Sequence, residues 1–307
     1  AGENVWKGQL GTTVEPPKFF GARGVIGGGY TGSAYTNIID YILISSAGNA
    51  SDFGDCTVSY DGRGGLSNGT RGVFGSGKNA VHNVMDYINI ASTGNAYDFG
   101  DLTVSRGDAT GSSNGTRGLF AGGDPGPAKI DVIDYITISS TGNSSDFGNL
   151  TSARTGCGGI SNETRGVFMG GNDDSYTNVI DFVIIASTGN ATDFGDLTAN
   201  NSHNGACASS TRGVRGGGQD PKTNSMDYIL ISSAANATDF GDLTSARGAT
   251  IGAASNGTRG VWMGGATASA RVNTIDHVTI ASTGNASDFG DLTGTRSGGG
   301  ACSGDAS

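Results

Sequence analysis

The chain has 307 residues, of which 56 are glycine and 5 proline, about a fifth in all, while charged residues make up only 15 %. This excludes collagen, which needs glycine at every third place and abundant proline, and it argues against disorder driven by charge. The formal net charge of −10 comes without any basic stripe, so a nucleic-acid partner is not expected. No run approaches the roughly 18 apolar residues of a membrane helix, so no membrane insertion is expected. Residues 1–20, with Trp6 and the Glu15-Pro16-Pro17 break, read as a lead-in or linker. They lack the basic-then-apolar order of a signal peptide.

From residue 21 onward the chain repeats itself. Arg-Gly-(Val/Leu) recurs at Arg23, Arg71, Arg117, Arg165, Arg212 and Arg259, in steps of 46 to 48 residues. Asp followed by Tyr, Phe or His recurs at Asp40, Asp86, Asp134, Asp181, Asp227 and Asp276. Asp-Phe-Gly recurs at Asp52, Asp98, Asp146, Asp193, Asp239 and Asp288. Three markers in one register, six times over, define six copies of one supersecondary unit.

Within each unit, in chain order, four short strands are predicted. The first is small and glycine-rich (Gly-Ala-Thr-Ile-Gly-Ala-Ala-Ser from Gly248), the second is Thr-Arg-Gly-Val-Trp-Met-Gly-Gly from Thr258. The third is the clearest, because Asn178–Ala186 is β-branched and aromatic along its length. Its apolar residues fall on both faces, as in a sheet buried on both sides. The fourth carries Asp-Phe-Gly. Ser-Asn-Gly, Gly-Gly and Thr-Gly-Asn turns separate the strands, and no helical period is present. Four strands per unit, repeated six times, predict an all-β, six-bladed β-propeller over 21–307; a linear β-solenoid, with its capping units, is the rival. Thr295–Gly304 aligns with a first strand, while Gly21–Gly29 opens directly on a second. The C-terminal strand is therefore expected to complete the first blade and close the ring. The small first strands fit an axis where six backbones crowd together.

The diglycines Gly28-Gly29, Gly122-Gly123, Gly170-Gly171, Gly217-Gly218 and Gly264-Gly265, followed by Asn-Val-Ile-Asp-Tyr-like strands, resemble the kelch repeat. The second copy has Gly75-Ser76-Gly77 instead, and the fourth strand has Asp-Phe-Gly where kelch repeats usually carry Trp. The full string, Ile-Asp-Tyr through Thr-Gly-Asn-Ala-Ser-Asp-Phe-Gly-Asp-Leu-Thr to Thr-Arg-Gly-Val-Phe, is similar to kelch-like repeat proteins of marine tailed bacteriophages. That resemblance implies a structural or adhesive, non-enzymatic module of a virion or tail fibre. For such a module a host-surface glycan or another virion protein is the expected partner, a virion or extracellular location is expected, and no cofactor is expected.

The acidity belongs mostly to the repeat. Seventeen of 28 acids and 10 of 18 bases lie in repeated columns, leaving −7 of the −10 in the scaffold. The Asp of the third strand, among Ile, Tyr and Val, needs a charged partner. The Arg-Gly column is expected to supply it in every blade. Asn49, Asp52 and Asp55 and their equivalents space oxygen ligands as calcium requires, or else build turns. Gly111–Gly115 matches G-x-S-x-G without the strand-to-helix elbow that motif needs. His82, His203 and His277 fall in different blades at non-equivalent places, which does not suggest a metal centre. Cys56, Cys157, Cys207 and Cys302 show no CxxC spacing and are expected as free buried thiols near the axis, with a disulfide as the alternative.

What differs between the copies is the loop from second to third strand, and variable loops on a rigid scaffold carry function. Tyr30, Tyr35 and Tyr176 are suited to stack on a sugar. Lys78, His82, Asp173, Asp174, Gln219, Lys222 and Arg271 are suited to bond its hydroxyls or charges. A propeller enzyme acting on glycans would instead need His, Tyr, Arg or carboxylates gathered at one channel mouth. An intracellular protein-interaction scaffold is the third reading.

Overall fold

A computed structural model describes residues 20–78, 82–219, 221–249 and 252–305 of the chain. Apart from Phe20, the lead-in with Trp6 and Glu15-Pro16-Pro17 lies outside the described residues. The described residues are all β, with no helix, and form six four-stranded antiparallel sheets. The second blade runs outward as Gly64–Ser67, Arg71–Gly77, His82–Asn89 and Tyr97–Asp101. Blades three to six repeat that order from inner strands Thr110–Ser113, Gly158–Ser161, Gly205–Ala208 and Gly252–Ser255. The first blade is composite: Gly300–Gly304 pairs with Arg23–Tyr30, which continues to Tyr35–Leu43 and Ser51–Asp55. The inner strands contact one another in a closed circle, so the fold is a six-bladed β-propeller.

Each hydrophobic cluster is built from two neighbouring blades. Val25, Ile39 and Phe53 of the first meet Phe74, Ile88 and Ile90 of the second, and Ile26, Ile42 and Ile44 meet Val261, Met263 and Phe289 of the sixth. The Phe of every Asp-Phe-Gly is buried in such a cluster, where each large side chain contributes roughly 1.5–3 kcal/mol. The adjacent glycine has φ between +135° and +146°. A Cβ on Gly54 would stand 2.4 Å from the Gly94 carbonyl of the next blade, so this column allows sheets to approach turns closely.

Three polar contacts repeat from each blade to the next. The Asp55 N–H donates to Asn95 Oδ1 at 3.1 Å, the Thr103 hydroxyl to Asp134 at 2.5 Å, and Arg71 to the Ile138 carbonyl at 3.0 Å. All three recur across the closure, from Asp291 to Asn49, Thr293 to Asp40 and Arg259 to Ile44. The calcium spacing is thus a turn, its Asn engaged by the neighbouring blade. Among the described residues no group of three or more His, Cys, Asp or Glu could hold a metal.

One expectation is corrected. The Arg-Gly column does not neutralise the third-strand Asp. Arg23, Arg71, Arg117, Arg165 and Arg212 lie over the aromatic of their own third strand, at 4.3–4.5 Å, and cap a carbonyl of the next blade. The buried Asp instead pairs with an arginine leading into the inner strand: Arg106–Asp134, Arg154–Asp181, Arg247–Asp276 and Arg296–Asp40, at 2.9–3.0 Å. Tyr60 and Asn201 occupy that arginine's place in two blades. There Arg63, three residues later, pairs with Asp86 at 2.8 Å, and Arg215, from the second strand, pairs with Asp227.

All four cysteines are free and buried. Burial pushes the thiols up, to about 11 for Cys56 and about 12 for Cys302. Cys207 and Cys302 lie on inner strands. Cys56 instead follows an outermost strand and packs against Phe74, away from the axis.

Candidate functional site

The connections into the inner strands and the loops from second to third strand emerge on one face. They are zipped together in all six blades by short bridges, among them Tyr30 with Ser297, Asp61 with Lys78 and Ser202 with Gln219. At the rim of the channel one residue per blade turns through positive φ: Gly62, Asp108, Gly156, His203, Ala249 and Gly298. Their backbones form a hydrogen-bonded arc, with Asp108 N donating to Gly62 O at 2.8 Å and His203 N to Gly156 O at 2.6 Å. Three positions are glycine, for which this conformation costs little, whereas Asp108 (φ +53°) and His203 (φ +51°) hold it as strained side chains.

Those two departures from glycine organise the mouth. Asp108 receives Lys78 Nζ at 2.7 Å and faces His203 Nε2 at 3.6 Å. Gly156, between them, lacks the Cβ that would lie 2.9 Å from the imidazole. Burial alone would raise the Asp108 carboxyl, but His203 and Lys78 outweigh it and hold it well below the usual carboxylate range. Asp61 behaves oppositely: burial and the Asp108 charge, partly offset by Lys78, push it up to about 6. Ser202 Oγ lies 3.0 Å from His203 Nδ1, completing a Ser-His-Asp line. Ser202, however, has no exposed surface, so no substrate atom can approach it. Ser76, at the odd diglycine, keeps φ +75° and donates to the Arg106 carbonyl at 2.7 Å beneath this rim.

The ten side chains singled out from the sequence lie around this face. Tyr30, Tyr35 and Arg271 come together: the tyrosine rings are 5.0 Å apart and the Arg271 guanidinium lies 4.7 Å over Tyr30. Lys78 joins the mouth through Asp108. His82 turns inward and stacks on Tyr60 at 4.1 Å. Asp174 pairs across blades with Lys129, while Asp173 is drawn into its own turn by Ser175. Tyr176 opens a third strand, Gln219 is bridged to Ser202, and Lys222 is half-buried on the same blade. Asp61 and Asp108 are not among the sequence candidates, and His203 is weighed there only as a metal ligand. Aligning the second residue after each end-of-blade position shows Asp108 and His203 where Gly62, Gly156 and Gly298 stand, and that contrast was the available signal.

No family model matches this sequence, and a search of the curated proteins finds no match. The likeness to kelch and phage repeats rests on the repeat motifs themselves.

Proposed function

We propose that the chain is a non-enzymatic binding module whose loop face grips a partner on a rigid ring. Following the motif resemblance, we read it as a virion-surface or tail-fibre component, on a virion or outside the cell, that contacts a host-surface glycan or another virion protein. One observation carries this reading. The repeated polar columns at the interfaces are engaged between or within blades, whereas the unrepeated aromatic and charged side chains Tyr30, Tyr35 and Arg271 gather in the loops of one face. The non-enzymatic part is supported by the buried Ser202 and by inner strands composed chiefly of Gly, Ala, Ser and Cys. Tyr35, 37 % exposed, is placed to offer an aromatic face with a polar tip, the combination that suits a half-wet contact.

The test is binding of the full chain to a glycan array. Selective binding that falls about tenfold with Tyr35→Ala, a loss of roughly 1.4 kcal/mol, is the expected result. No saccharide binding by a protein that self-associates tightly would point to a purely architectural role.

A further inference from the structure

The chain contains thirteen arginines. Six cap carbonyls of the neighbouring blade, and six neutralise the buried Asp column. Arg271 is the thirteenth. Its guanidinium has neither carboxylate nor carbonyl partner among the described residues, and its Nε is buried without a hydrogen bond. Its aliphatic stem passes Gly32 of the neighbouring blade, 3.5 Å from where a Cβ would stand, and the cation lies on Tyr30. An arginine held in place on both sides, with no carboxylate in direct contact and only the longer-range attraction of Asp61, is preorganised for an anion, because a guanidinium offers a planar fork that matches a carboxylate.

The surroundings define what carries that carboxylate. Tyr30 and Tyr35 stand beside the cation, their rings tilted by 43°. Two matching turns flank them, Thr31–Ala34 from the first blade and Thr267–Ala270 from the sixth, each closed by its threonine N–H and hydroxyl on the last residue's carbonyl. They present Ser33 and Ser269, whose hydroxyls both donate and accept. A cation, two aromatic faces and adaptable hydroxyls complement a ring bearing both a carboxylate and hydroxyls.

We propose that the loop cluster where the first and sixth blades meet binds an acidic sugar, a uronate-type ring whose carboxylate is taken by Arg271 and whose apolar face lies on Tyr35. This rests on the glycan-binding reading above and names its sugar class. The net charge of −10 does not oppose it, since long-range repulsion is screened beyond about 8 Å at physiological ionic strength.

The probes are oligogalacturonate and the same oligomer with its carboxyls methyl-esterified, titrated into the full chain. The acid form should bind at least about tenfold more tightly than the ester. Arg271→Gln should abolish that preference with unchanged melting temperature, and Arg271→Lys should restore part of it. Equal binding of acid and ester, or acid binding indifferent to Arg271→Gln, overturns the inference. Binding only of neutral oligosaccharides, weakened by Tyr35→Ala, overturns it while leaving glycan adhesion standing. Absence of binding by any saccharide overturns both.

Discussion

Where a carboxylate is buried in every blade, the position of its arginine matters less than its presence. Removing one partner of a buried pair costs about 3–5 kcal/mol, because the remaining charge is stranded. Two blades have lost the arginine at its usual place, to Tyr60 and Asn201, and both regain it from elsewhere. In the fifth blade Arg215 stands where its counterparts Phe74, Phe120, Phe168 and Trp262 are apolar, opposite the acid it neutralises. Asp61 shows the reverse case, an acid whose surroundings disfavour its charge. Its folded value of about 6 lies above its ordinary 3.8, so the folded state holds the proton more tightly and stability falls as pH rises through that window. Asp61→Asn should therefore raise the melting temperature at pH 7.5, and the difference should vanish below about pH 4. Thermal melts at both values check this; a pH-independent difference would contradict it.

At the scale of the strand, the inner elements are set by distance more than by propensity. A Cβ on Gly65 would lie 2.3 Å from the Ala301 carbonyl, and one on Gly111 would lie 2.3 Å from the Gly65 carbonyl. These are backbone neighbours held in sheets, so they cannot swing aside. Gly65→Ala is expected to destabilise by at least about 1–3 kcal/mol, as overpacking does, whereas Gly294→Ala, with nothing within 4 Å of its Cβ, should be nearly neutral. Paired denaturant melts measure the contrast.

The whole molecule depends on closing the circle. Gly300–Gly304 supplies the inner strand of the first blade, and Arg296 neutralises Asp40, whose side chain has no exposed surface. Deleting residues 296–307 would strand that carboxylate and uncover Val25 and Ile26. An unpaired buried charge alone, at about 3–5 kcal/mol, predicts a loss of roughly 5–8 °C in melting temperature for a chain of this size, and the lost inner strand adds to it. An unchanged melting curve would mean that the blades hold together without their clasp.

The architecture was legible in the amino-acid order because repetition is a property of order: three markers in one register require six equal units, and small inner residues require a crowded axis. The loop residues were legible as candidates because they break that repetition. The grouping of Tyr30 and Tyr35 with Arg271, more than 230 positions away in the chain, was not, since it exists only where the ring brings the last blade against the first. The choice of arginine for each buried Asp was hidden for the same reason. Two arginine columns share the blade period, and only the path of each side chain, one out to a neighbour's carbonyl and one into the blade, separates capping from neutralisation. Sequence alone determined the number of blades and their strand pattern, because both follow from local periodicity. Tertiary structure decided which charges meet and which cation lacks a carboxylate in contact, because those depend on distances between residues that periodicity does not relate.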